Sequence, residues 1–100
     1  MLDFVANSEG PVVLVTMGTG PKVFSTGFDM THLKADVMNC LETSANMQTV
    51  LKKLLTLNVP TLCLMNGHSY AGGLFLALCH DFRIITTKGK ICFTEILVGV

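Results

Sequence analysis

Apolar and polar positions change their spacing several times along the chain, and each change marks an element. Val12 to Met17 is a continuous apolar run rich in β-branched residues, the pattern of a strand covered on both faces. Gly18-Thr-Gly-Pro21 interrupts it as a turn, and Val23-Phe24-Ser25 reads as a short extended piece. Glu42 to Leu57 switches to helical spacing: Met47, Val50, Leu51, Leu54, Leu55 and Leu57 form a broad apolar stripe, with Gln48, Lys52 and Lys53 opposite. Asn58-Val59-Pro60 ends that helix, because the residue before a proline resists helical geometry. Thr61 to Met65 is the next buried strand, Ala71 to Cys79 a helix, and Phe82 to Thr86 a third strand. Residues 4–8 read as the tail of a helix closed by Ser8-Glu9-Gly10-Pro11. Thr31 to Asn39 fits a short helix or an ordered loop. Lys88-Gly89-Lys90 is a turn, and Ile91-Cys92-Phe93 is extended and leads to Glu95.

Strands separated by helices predict an α/β domain with a parallel sheet and helices packed on it. Right-handed crossovers place the successive strands side by side. Ligands in such sheets gather beyond the carboxyl ends of the strands. The glycine turns at Gly27 and Gly72 both follow strands, so the two can share that edge. No internal repeat or low-complexity linker is present.

Composition limits the picture. One hundred residues make one small domain. Half of them are apolar, more than a small free-standing domain can readily bury, so some apolar area is expected to meet another part of a chain, a subunit or a ligand. Seven basic and seven acidic residues give no net charge, which argues against nucleic acid or an anionic membrane as partner. The apolar runs are too short to span a bilayer, and Met1-Leu-Asp-Phe-Val lacks the features of a secretory signal. Cys40, Cys63, Cys79 and Cys92 form no CxxC pair and lie in apolar surroundings. They read as buried free thiols of a reducing compartment, and no metal site is expected.

The candidate chemistry concentrates at Gly72-Gly73, between a strand-like and a helix-like run. The first N–H groups of a helix lack partners within it and carry the positive end of its dipole. Glycine leaves them open to an oxygen that becomes negative during a reaction. With a second donor from the Phe24-Ser-Thr-Gly-Phe-Asp29 turn, the amides of Phe28 and Gly72 can grip one oxygen from two sides. Glycines at turns equally serve positive φ or close packing, and spacing alone leaves both readings open. Glu95, inside an apolar run, has the environment of a general base or that of a solvent-facing sheet-edge residue. Asp29 and Asp81 read as local structural carboxylates. His68 is either a ligand contact or a satisfied loop histidine, and His32 and His80 have no partner pattern.

These residues together resemble the crotonase superfamily, the enoyl-CoA hydratase/isomerase family. The carrying segments are Phe24-Ser-Thr-Gly-Phe-Asp29 after a strand, Asn66-Gly-His-Ser-Tyr-Ala-Gly-Gly73 before a helix that reaches Cys79-His-Asp81, and Phe93-Thr-Glu-Ile-Leu-Val-Gly99. The resemblance covers nearly the whole chain and implies a crotonase-like ββα core, a mostly parallel sheet flanked by helices. It also implies that residues 1–100 are a partial domain, truncated at both ends. The implied ligand is an acyl-CoA thioester, whose oxygen the N–H groups of Phe28 and Gly72 would hold as it becomes an enolate. Phe24, Ser25, Gly27, His68 and Gly73 would line the substrate. No separate cofactor is implied, because coenzyme A is part of the substrate. Hydratases of the family use two glutamates. Here the second falls at Glu95, and the first position holds Phe75. A lone carboxylate suits a Δ3-Δ2 double-bond shift better than addition of water. The similarity is to the isomerases, especially the peroxisomal type, and implies a homotrimer in a full-length form, inside the cell, in the peroxisome ahead of the mitochondrion. The rival readings are another crotonase reaction (hydration or thioester hydrolysis) and a non-catalytic chain that keeps the fold.

Overall fold

The computed structural model describes residues 2–27 and 34–93. Along the chain run α1 (Leu2–Ala6), β1 (Leu14–Met17), β2 (Val23–Ser25), α2 (Val37–Leu55), β3 (Thr61–Met65), β4 (His68–Tyr70), α3 (Gly72–Leu78), β5 (Phe82–Ile85) and β6 (Ile91–Cys92). The strands alternate between two sheets. β1, β3 and β5 form one, in that order, and β2, β4 and β6 form the other, all pairs parallel. Each turn of the chain is therefore strand, corner, strand, helix, and a helix carries the chain back to the first sheet. The three long strands lie side by side as successive crossovers require.

The second sheet departs from the single sheet expected. Its central strand, His68–Tyr70, lies between the Thr61–Met65 strand and the Gly72 helix, where the sequence pattern marks no strand. Three residues are too few to show a period of two. What makes them a strand is pairing with β2 and β6 on either side. Ser69 at its centre is fully buried. The corners stack on one another: the His68 N–H donates to the Lys22 carbonyl at 2.9 Å, and the Ser69 N–H to the Lys90 carbonyl at 2.9 Å. Asn66 joins two corners, its Oδ1 accepting the Gly18 N–H at 3.0 Å and its Nδ2 donating to the Gly20 carbonyl.

Helix α2 begins five residues before the apolar stripe suggested. Asp36 caps it, extended at φ −157° and accepting the Met38 N–H, which satisfies one of the open amides of the first turn. Lys52 and Lys53 occupy the last turn, where positive charge suits the dipole. Of the Thr31 to Asn39 stretch, residues 31–33 lie outside the described residues and Val37 onward is α2.

The core lies beneath α3. Cys63 and Met65 of β3 pack against Leu74 and Ala77 of α3, with Phe24 of β2 against them. Of the buried polar side chains described, Thr61 and His80 are paired, as desolvation demands, whereas the Ser69 hydroxyl has no hydrogen-bond partner among the described residues. The Thr61 N–H donates to Asp81 Oδ2 at 3.0 Å, and the Asp81 N–H to Thr61 Oγ1 at 2.8 Å. His80 Nδ1 donates to the Leu76 carbonyl at 2.9 Å, and in the neutral ring Nε2 then accepts the Thr16 hydroxyl at 2.8 Å. Arg83 donates to the His80 carbonyl at 2.7 Å, and to those of Leu78 and Ala77, at the carboxyl end of α3.

Two expectations fail outside this core. β1 is not covered on both faces, since Val15 is 47% and Met17 63% exposed. The register places Val15, Leu62 and Phe82 in one row and Met17, Leu64 and Ile84 in the next, on the face turned from α3. The thiols are free, but only Cys63 is buried; Cys40 and Cys79 are half-buried and Cys92 is exposed. Val15, Met17 and Cys92 stay exposed despite apolar neighbours in sequence because, among the described strands, theirs are the outer ones of their sheets. Among the described residues no helix is long and apolar enough to cross a membrane.

Candidate functional site

The site is built where β2 ends and α3 begins. Gly27 has φ +98°, a conformation an L side chain rarely adopts. A Cβ there would stand 2.9 Å from the Gly72 nitrogen and 3.3 Å from the Ala71 Cβ. Glycine therefore keeps open the space beside the Gly72 amide. Gly73 fits against β2: a Cβ on it would meet the Ser25 carbonyl and hydroxyl oxygens at 2.6 Å. Ser25 in turn accepts the Gly27 N–H on its Oγ at 3.2 Å. The two glycine turns that the sequence placed on one edge are thus in contact.

Ala71, just before α3, has φ 52° and ψ −122°, a strained geometry for a residue with a Cβ. Such strain persists only where surrounding structure enforces it, and it concentrates at functional sites. Here the Ala71 N–H donates to the Cys92 carbonyl at 3.0 Å, and the Ala71 carbonyl accepts from Leu74 and Phe75. Among the described residues, neither the Gly72 nor the Gly73 N–H donates to a protein acceptor. Both glycines are buried, so a charge developing beside them would be little screened.

This junction opens on a cleft of about 350 Å³. Ser25, Gly27, Gly72, Gly73 and Leu76 line one wall, and Thr43, Asn46, Met47 and Val50 of α2 the other. The four α2 residues follow i, i+3, i+4, i+7 spacing and so share one face. The sequence reading missed them as site residues, although that spacing was the available signal. Two further hollows adjoin the cleft. One, of about 740 Å³, runs along Thr19 to Gly27, includes Lys22, and shares Ser25 and Gly27 with it. The other, of about 310 Å³, is lined by Ser44, Met47, Gln48, Leu51 and Phe75 and shares Met47. Joined through these shared residues, the three hollows form a trough that holds Lys22 in one part, the open amides in the central cleft, and Met47, Leu51 and Phe75 beside Ser44 and Gln48 in the third.

Of the expected site residues, Ser25, Gly27, Gly72 and Gly73 come together in the cleft. Phe24 packs on the core and lines the Thr19 to Gly27 hollow instead. His68 does not join the cleft. Its ring stacks on Tyr70 at 5.7 Å, and its Nδ1 accepts the Lys90 N–H at 3.0 Å. Phe28 and Glu95 lie outside the described residues. The described chain ends at Phe93, whose ring lies 4.8 Å from that of Phe75 on α3. Among the described residues no group of three or more His, Cys, Asp or Glu side chains is placed to hold a metal ion.

Comparison with known proteins bears on this geometry. Residues 3–100 match the family model described as enoyl-CoA hydratase/isomerase. The peroxisomal enoyl-CoA delta isomerase 2 of Arabidopsis thaliana is 34% identical over 95 residues, covering 88% of this chain and 39% of that protein. A crotonyl-CoA hydratase of Syntrophomonas wolfei is 31% identical over 98 residues, covering 95% and 38%. A mitochondrial enoyl-CoA delta isomerase 1 of Mus musculus is 34% identical over 83 residues, covering 80% and 29%. In fold, the chain superposes on a crystal structure of enoyl-CoA hydratase from Bacillus anthracis with TM-score 0.92 at 23% identity, covering 99% of this chain and 39% of that one. The chain therefore spans about two fifths or less of the length of these relatives.

Proposed function

This chain belongs to the enoyl-CoA hydratase/isomerase family, and from that premise we propose that it carries the reaction centre of a Δ3-Δ2-enoyl-CoA isomerase of fatty-acid β-oxidation. The observation that carries the reading is the approach of Gly27 to the Gly72 nitrogen at the head of the cleft. In this proposal the Gly72 N–H, with that of Phe28, receives the thioester oxygen. Both are stronger partners for the enolate than for the ground-state carbonyl, so they lower the barrier to losing a proton from C2. Glu95 takes that proton and returns it at C4. The balance is internal: one proton moves, the double bond shifts from C3–C4 to C2–C3, and no water or separate cofactor is consumed.

The trough supports an acyl-CoA as substrate. Its hollow with Lys22 suits the polar coenzyme portion, its centre the thioester, and its Leu51–Phe75 end a hydrocarbon tail. Phe75, at the position where the family's hydratases carry a first glutamate, favours the isomerase, because it supplies no group to activate water. Phe93 packs on it, and Glu95 follows two residues later in the chain. A homotrimer in a full-length form and a peroxisomal location belong to the same proposal. The names of the relatives divide between peroxisome and mitochondrion.

The test is Glu95→Gln assayed on a 3-enoyl-CoA. Acid–base catalysis by one group contributes roughly a hundredfold to ten-thousandfold, and the variant should lose that much. Unchanged isomerisation sinks the mechanism. The similarity to a crotonyl-CoA hydratase supports hydration as the second reading. Running the reaction in ¹⁸O-labelled water separates the two, because only hydration leaves solvent oxygen in the acyl chain.

A further inference from the structure

We propose that Met47 sets the length of acyl chain this site accepts, by standing between two cavities that one extended tail would have to cross. The inference rests on the acyl-thioester reading of the cleft and adds a specificity residue to it. Met47 lines both the central cleft and the outer groove. The other α2 residues divide between them: Thr43, Asn46 and Val50 face the cleft, and Ser44, Gln48 and Leu51 the groove. Each groove residue lies one position after its cleft counterpart, about 100° further round a helix of 3.6 residues per turn. The opposite wall divides in the same way, with Gly72, Gly73 and Leu76 on the cleft and Phe75 on the groove. A tail leaving the Gly27–Gly72 junction toward Leu51 and Phe75 must therefore pass Met47.

Both spaces offer apolar surface to a tail: Met47, Val50 and Leu76 in the cleft beside Ser25, Thr43 and Asn46, and Met47, Leu51 and Phe75 in the groove beside Ser44 and Gln48. Volume separates the two. The cleft's 350 Å³ must hold the thioester and the first carbons, which leaves the 310 Å³ groove for the remainder of a longer chain. Met47 is half-buried, and methionine is unbranched with three rotatable bonds. It can swing aside or block the passage without moving α2. Short tails end before Met47, and long tails depend on it.

Calorimetric titration of the 100-residue chain with saturated butanoyl-, octanoyl- and dodecanoyl-CoA tests this, since these ligands have no double bond to shift. A fully buried methylene is worth about fourfold in affinity. Met47→Phe should raise the dodecanoyl-to-butanoyl ratio of Kd at least tenfold, and Met47→Ala should lower it. Leu51→Phe, which fills the groove itself, should raise it as Met47→Phe does. Parallel shifts at all three lengths would reduce Met47 to a packing residue and overturn the proposal. Should Met47→Phe fail to fold, an unchanged ratio in Met47→Ala and Leu51→Phe overturns it equally. A wild-type chain that binds none of the three overturns the acyl-thioester reading and this inference together; binding with a ratio indifferent to position 47 overturns this inference alone.

Discussion

Helices α2 and α3 form opposite walls of one cleft, yet they are held in opposite ways. Four of the seven residues of α3 are buried: Gly72, Gly73, Leu74 and Ala77. Of the nineteen of α2, among those described, one is buried: Leu54, near its carboxyl end. The short helix is pressed between the two sheets, with β2 against its first turn, β3 beneath it and Arg83 at its end. The long helix borders the cleft with half-buried and exposed side chains and takes part of its stability from its own ends. An amide that must meet an oxygen to within tenths of an ångström belongs on the first kind of element. Side chains that adapt to different tails belong on the second.

The largest expected effect breaks this contrast at its tightest point. Gly73→Ala drives a Cβ to 2.5–2.6 Å from the Cβ, carbonyl and hydroxyl of Ser25, and the strand backbone cannot yield cheaply. A loss of about 3 kcal/mol is expected, at the upper end of overpacking costs, read as a lower urea midpoint. Val50→Ala on the facing wall, where Val50 is 44% exposed, should stay within about 0.5 kcal/mol. Equal losses at the two positions would show the walls to be equally packed.

A smaller loss probes the support under α3. His80→Ala removes the partner of the Thr16 hydroxyl and one of two donors to the Leu76 carbonyl, which keeps the Cys79 N–H. Leaving the hydroxyl unpaired costs about 1–3 kcal/mol, measurable by the same denaturation. Thr16→Val, which removes only the hydroxyl, should cost less. A double variant no worse than His80→Ala would show that the two act as one unit.

The smallest effect is a difference in thiol chemistry between the same regions. Burial pushes the Cys63 thiol from 9.0 to about 11, with Arg83 opposing the shift. The neutral thiol is therefore favoured in the fold. As pH rises from 9 toward 11, unfolded chains lose this proton first, so the contribution of Cys63 to stability is full below pH 9 and fades through that window. At pH 8, iodoacetamide should label exposed Cys92 first, half-buried Cys40 of α2 later, and Cys63 beneath α3 last. Mass spectrometry of a time course reads the order, and early labelling of Cys63 would show that the core under α3 opens readily.

Much of the framework was legible without coordinates. The strands over Thr61–Met65 and Phe82–Ile85, and the helix after Gly72, follow from apolar runs bounded by turn residues. So does the meeting of the Gly27 and Gly72 turns, from the rule that parallel strands end on one edge. His68–Tyr70 was not legible, since its neighbours in the sheet come from distant segments. The assignment of His68 to the substrate path followed its nearness in sequence to the glycine turn, but its ring packs along the strand on Tyr70 instead. Thr43, Asn46 and Met47 went unread as cleft residues because a helical stripe records which positions share a face, not what that face meets.

What the sequence determined by itself was local: the long strands and helices in their order, the glycines at two corners, and the family to which those corners belong. Those depend on backbone preferences and on spacing within a few residues. Tertiary structure alone decided that the strands divide between two sheets, that Ser25 backs Gly73, and that α2 stands across from the glycines to make a cleft with Met47 at its division. Each of these is a contact between residues far apart in the chain. Such contacts depend on packing, which one-dimensional spacing does not contain.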